Sequence, residues 1–140
     1  MPDSIVTPPP FLDTHTWPIV FLHMPEQVPD DKSAAYMAQV TQLYAAQERF
    51  VLCMTGADLP YHSPVFMKAY LQWTRDNVSL QQQYCAGAIR IESDEAKRQK
   101  YVERADNWAQ SEQAPYTYFV VATLPEAQAL AITLLDRDQP

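Results

Sequence analysis

Arg49–Gly56 reads RFVLCMTG. Five apolar side chains in a row, Phe50 to Met54, stand between an arginine and a glycine. A strand buried on both faces shows such an unbroken run, because neither alternate set of side chains meets water. The run reads as the central strand of a parallel sheet, with the helices before and after it as covering layers.

Upstream, WPIVFLHM (17–24) is a second strand. Ile19, Val20, Phe21 and Leu22 have high β propensity. Pro18 is tolerated near a strand start, and Pro25 ends the run. Phe11-Leu12-Asp13 forms a short edge strand, with Thr14-His15-Thr16 as a turn. Pro29, Asp30 and Asp31 open a helix that reaches about Glu48. Its acidic first turn suits the helix dipole, and Met37, Val40, Leu43 and Tyr44 follow the spacing of a buried stripe.

Downstream, GADLPYHS (56–63) is irregular. Ser63-Pro64 reads as an N-cap followed by proline in the first turn. The spacing predicts one helix from there to about Tyr84, with Phe66, Ala69, Tyr70, Trp73, Leu80 and Tyr84 on one face and Asn77 as the polar exception. Cys85-Ala86-Gly87 stops it, with Gly87 as a left-handed cap. AIRIE (88–92) alternates and reads as a strand near an edge. Ser93 caps a polar helix over 93–112 whose apolar positions are Tyr101, Ala105, Trp108 and Ala109. YTYFVVA (116–122) is a further strand. Thr123 caps the last helix, with Pro125 and Glu126 in its first turn. Ala127, Leu130, Ala131 and Leu134 face inward.

The order is β-α-β-α-β-α-β-α after a short N-terminal edge segment. It predicts an α/β fold: a four- or five-stranded, mostly parallel sheet joined by right-handed crossovers, with helices on both faces. Residues 1–10, with Pro8-Pro9-Pro10, form an extended lead-in. Residues 11–140 form a single domain, a size that buries a core without metals or disulfides.

Composition narrows the function classes. Two glycines and twelve prolines in 140 residues leave little material for a phosphate-cradling loop. A net charge of −7 disfavours nucleic acid and anionic membrane surfaces as partners. No apolar stretch is long enough to span a bilayer, so no membrane insertion is expected. The first residues lack a leader pattern, so the expected compartment is the cytoplasm. Cys53 and Cys85 lie in or beside apolar runs and read as buried free thiols. His15, His23 and His62 are far apart, and no CxxC or HExxH word occurs, so neither metal nor cofactor is expected.

WPIVFLHMP, RFVLCMTGAD, YCAGAIRIE and the helix after TLPEA, spread over about residues 11–136, carry a resemblance. In order and content they resemble STAS-like domains, the class of anti-sigma-factor antagonists and their SEC14-like, lipid-binding relatives. The resemblance implies a non-enzymatic protein-interaction and regulatory module, and more narrowly an immunity or antagonist protein that inhibits its partner. The alternative it implies is a carrier of a small apolar ligand. Two departures stand out. The family's phosphorylatable D-S-S-G-like word is replaced by GADLPYHSPVF, where Ser63 is the serine near the helix start. Helix 93–112 is also far more polar than its counterparts.

Ligands of open α/β sheets bind outside the carboxyl ends of the strands. Here those ends present His23, Thr55, Asp58, His62 and Glu92. The candidate binding set is Thr55, Asp58, Tyr61, His62, Ser63 and Phe66, in the loop after the central strand and the start of the next helix. Asp58 and His62, four apart, are the pair an enzyme would use, and that reading ranks last because no nucleophile supports it. Lys97, Arg98, Lys100 and Arg104 concentrate four of the ten basic residues on one helix. Lys97, Arg98, Tyr101 and Arg104 form a candidate docking face for an acidic partner. Self-association through aromatic faces is left open.

Overall fold

The computed structural model describes residues 10–57, 62–109 and 116–137, without the side chains of residues 108, 109 and 137. Asp58, Tyr61, the side chain of Trp108 and all but the last residue of the proline-rich lead-in lie outside the described residues. The elements run β1 (Leu12–Asp13), β2 (Ile19–Met24), α1 (Ser33–Ala45), β3 (Phe50–Gly56), α2 (Pro64–Asp76), α3 (Val78–Tyr84), β4 (Cys85–Ile91), α4 (Glu95–Ala109), β5 (Tyr118–Val121) and α5 (Leu124–Arg137). A single 3-10 turn, Asp30–Lys32, leads into α1.

The five strands form one mixed sheet in the order β1-β2-β3-β4-β5. β1 pairs antiparallel with β2, and β2 to β5 are all parallel. β3 is the middle strand, and Phe50, Val51, Leu52 and Cys53 are all buried. The apolar run has the cause proposed for it: each side chain meets a covering layer.

The two faces are covered unequally. On one, Val20, Leu22, Met24, Phe50, Leu52 and Ala88 pack against Val40, Leu43 and Tyr44 of α1 and Phe66 of α2. Aromatic rings fill this side: Tyr44 meets Phe50 edge-on at 5.0 Å and Trp73 at 5.2 Å. On the other face, Val51, Cys53 and Ile89 meet Ala127, Ala131 and Leu134 of α5. Each parallel crossover steps one strand in the same direction, and crossovers of one hand then leave their helices on one side. Only α5, which follows the last strand and crosses nothing, is free to cover the reverse face. No helix among the described residues is long and apolar enough to cross a membrane.

Two local expectations need correction. The helix expected over 64–84 breaks at Asn77, whose φ of −124° and ψ of 36° leave the helical region. Asn77 Nδ2 donates to the Trp73 carbonyl at 2.8 Å. The buried amide of Gln81 donates to the carbonyls of Thr74 and Asn77 at 2.8 and 3.0 Å. The bonds to Trp73 and Thr74 satisfy carbonyls near the break, while the Asn77 carbonyl also accepts the Gln81 N–H at 3.1 Å, so the kink leaves these groups paired. Second, Gly87 is not a helix cap. It lies inside β4, where an added Cβ would come within 2.9 Å of Leu134 Cδ1. The backbone there is not left-handed, and the close neighbour is the end of the Leu134 side chain. β4 lies near an edge, as expected: it sits between β3 and the edge strand β5. Its alternation reflects Arg90, a buried cation among apolar neighbours.

Helix starts also differ from expectation. Asp94, not Ser93, caps α4: its carboxylate accepts the Lys97 N–H at 2.9 Å. Thr123 does cap α5. Its hydroxyl accepts the Glu126 N–H at 3.3 Å and donates to the Glu126 carboxylate at 3.0 Å. Cys53 and Cys85 are both buried and unpaired.

Candidate functional site

The parallel strands end on one rim. β2 brings His23 and Met24, β3 brings Thr55 and Gly56, and β4 brings Arg90, with Glu92 just beyond. His23 and Thr55 are paired in register, and His23 Nδ1 lies 3.0 Å from Thr55 Oγ1. β3 turns sharply as it leaves the sheet. Gly56 has φ +84°, and a Cβ there would sit 2.3 Å from the Met24 carbonyl oxygen and 2.9 Å from His23 Cε1. Only glycine suits both the backbone angle and the space. The Ala57 N–H then donates to the Met24 carbonyl at 2.8 Å, which locks the turn.

That turn aims two carbonyls at one guanidinium. Arg90 Nη2 donates to the Gly56 carbonyl, and Nη1 donates to the Ala57 carbonyl at 3.2 Å. Arg90 is only 4% exposed. Its guanidinium carbon lies 4.5 Å from the centre of the Tyr101 ring on α4, a cation–π contact that fixes its far face. Its nearest carboxylate, Glu92, is 3.8 Å from Nη2, and Nε has no hydrogen-bond partner among the described residues. Arg90 is thus a rigidly held, buried cation paired mostly with neutral groups.

Around it opens a cleft of about 560 Å³, lined by His23, Met24, Glu26, Gly56, Ala57, Arg90, Glu92, Lys97, Lys100, Tyr101 and Arg104. Lys97, Lys100, Tyr101 and Arg104 fall at i, i+3, i+4 and i+7 on α4 and so share one face of it. Among the described residues, the side chains of Lys97 and Lys100 have no acidic partner within ion-pair distance. The strand order contains no reversal between parallel strands, so the cleft is no switch-point crevice. Its wall is α4 itself.

Each sequence candidate now has a place. Lys97, Tyr101 and Arg104 do converge, on the cleft. Arg98 does not line it; its guanidinium turns back to the Glu92 and Ser93 carbonyls at 3.2 and 3.3 Å and braces the β4–α4 connection. Thr55 stands at the rim as the partner of His23. His62 is exposed, and its proposed partner Asp58, like Tyr61, lies outside the described residues. Ser63 and Phe66 are interior residues, 2% and 0% exposed. The Ser63 hydroxyl makes no helix-capping bond and instead accepts the Val28 N–H at 2.6 Å, tying the loop after β2 to the start of α2. Phe66 stacks edge-on with Phe11 and Tyr36 in the core. Neither presents a surface to a ligand.

Arg90 and Glu26 complete the cleft, and sequence reading did not place them there; Lys100, counted in the basic cluster of that helix, lines it too. A signal existed for Arg90. An arginine inside AIRIE, with apolar residues on both sides, marks either an edge strand or a buried cation with a purpose, and the sheet order selects the second.

No protein-family model matches the chain, and neither a curated protein nor a solved structure matches it.

Proposed function

We propose that the chain is a non-enzymatic interaction module of the regulatory, STAS-like kind, and that it receives an acidic segment of a protein partner in the cleft between the strand ends and α4. The single observation that supports this reading is Arg90. A buried cation is costly unless paired; here it is held in place by two backbone carbonyls, an aromatic ring and one long ion pair to Glu92 at 3.8 Å, on a chain whose net charge is −7. Local positive charge on an acidic protein selects anionic groups and speeds their approach. The narrower role, an antagonist or immunity protein that blocks its partner, follows if the captured segment is one the partner needs. The charged lining of the cleft suits a polar anion better than an apolar tail, which ranks the carrier reading second.

The test is photo-crosslinking in the native cell from position 97 or 104, beside a chain carrying Lys97→Glu and Arg104→Glu. One stoichiometric protein captured by the first and lost from the charge-reversed chain is the expected result. Equal capture by both chains would place the interface elsewhere.

A further inference from the structure

The charges that line the cleft define the ligand more closely than acidity alone. Arg90, Lys97, Lys100 and Arg104 supply four formal positive charges, and Glu26 and Glu92 supply two negative ones. Over the lining residues alone the excess is two formal positive charges, and Arg104, which is engaged by a further contact, counts toward the field of the cleft rather than as an open donor. A carboxylate brings one negative charge, whereas a phosphate monoester brings about −1.5 to −2 at neutral pH, with three acceptor oxygens. Arg90 contributes charge rather than open donors, because its Nη groups already donate to the Gly56 and Ala57 carbonyls and it is 4% exposed. Arg90 is fixed at the floor, and Lys97 and Lys100 are flexible point charges above it, able to close on separate oxygens. A volume of about 560 Å³ leaves room for the phosphate and for the group that carries it. It falls within the range of about 300–1,000 Å³ usual for ligand sites.

We propose that the cleft is a phosphate-monoester site, filled by a phosphorylated side chain of the partner. This rests on the docking reading above. Arg90 and Tyr101 form its rigid base, Lys97 and Lys100 supply the closing charges, and Arg104 lies against Tyr101 at the wall. Glu26 and Glu92 repel anions of any kind, so a weakly charged anion gains little there and the dianion gains most.

The experiment is calorimetric titration of the full chain at low salt with phenyl phosphate, phenyl sulfate and benzoate, which share a ring and differ in charge and shape. Phenyl phosphate binding at least tenfold tighter than either monoanion is expected. Equal affinity for all three, or no binding, overturns the proposal. The double variant Lys97→Ala/Lys100→Ala, confined to exposed positions, should fold and lose at least tenfold in phenyl phosphate affinity; unchanged affinity overturns it. Arg90→Gln serves as a second variant wherever circular dichroism shows that it folds, with the same expected loss. A capped Gly-phosphoserine-Gly peptide should bind more tightly than inorganic phosphate. Equal or weaker peptide binding assigns the site to a free phosphate and overturns the partner-borne form. If the phosphate probes fail while crosslinking still depends on Lys97 and Arg104, the phosphate inference falls and the docking reading stands. If the probes bind and crosslinking is indifferent to those cations, the docking reading falls and the anion site stands.

Discussion

Ala88 and Arg90 are two residues apart on β4 and point to the same side of the sheet, yet they live in different media. Ala88 is fully buried among the aromatic rings beneath α1 and α2. Arg90, about 7 Å further along the strand by ordinary strand rise, is the floor of a charged cleft beneath α4. The contrast comes from the helices. α1 brings Val40, Leu43 and Tyr44 to the sheet and α2 brings Phe66, whereas α4 brings Tyr101 and a row of cations. One face of one sheet is thereby divided into a dry half that stabilises the fold and a wet half that is free to bind.

The contrast can be broken first on its dry side. Phe66→Ala leaves a cavity between α2 and the sheet and is expected to cost about 3–5 kcal/mol, the usual range for a buried aromatic. Denaturant unfolding measures this, and any chain that remains folded should keep its affinity for anions. A loss of anion affinity at full folding would show that the two halves are coupled.

Gly56→Ala acts at the seam. It forces a side chain into a positive-φ position with backbone 2.3 Å away. The backbone angle alone costs about 1–2 kcal/mol, and the contact with the Met24 carbonyl adds to it. Because the Gly56 and Ala57 carbonyls hold Arg90, anion binding should weaken along with stability. A destabilised chain with unaltered binding would detach Arg90 from the site.

Alkaline pH probes the dry interior on both faces of the sheet without mutation: Cys85 and Tyr44 in the dry half, Cys53 beneath α5. Burial pushes the Cys53 thiol up to about 11 and the Cys85 thiol up to about 12, from an ordinary 9.0. Burial likewise raises Tyr44 far above the usual phenol range. Between the ordinary value and the raised one, the unfolded chain releases a proton that the folded chain retains. Stability is therefore intact below about pH 9 and falls as the pH rises toward 11 and beyond. Thermal melts at pH 8 and pH 10 should show the decline. A flat profile would mean that water reaches these thiols.

The smallest expected effect on stability lies on the wet side. Lys100→Ala removes an exposed charge with no acidic partner among the described residues. It should change unfolding free energy by no more than about 0.5 kcal/mol, while anion affinity drops measurably. A large loss of stability would reveal a structural duty for that lysine.

Much of this architecture was legible in the residues. The apolar run Phe50–Met54, short and followed by Gly56, reads as a strand covered on both sides, because a one-sided strand would alternate. Pro25, Pro29, Pro64 and Thr123 mark element boundaries through missing N–H groups and capping oxygens, which are local effects. The break at Asn77 was not legible, because what stabilises it is the Gln81 amide reaching back across the kink. Ser63 misled for a similar reason. Its hydroxyl had a nearby helix terminus to cap, and the fold offered it the distant Val28 N–H instead.

The site divides the same way. Lys97, Tyr101 and Arg104 could be grouped from sequence because helical periodicity alone puts them on one face. Arg90 could not be joined to them, since that contact depends on β4 lying inside the sheet and on α4 folding back over its end. Local propensities and hydrophobic spacing act over a few residues and settled which segments are strands and which are helices. The order of strands, the choice of covered face and the convergence of four cations on one rim depend on contacts between distant segments, and only the folded chain brings those together.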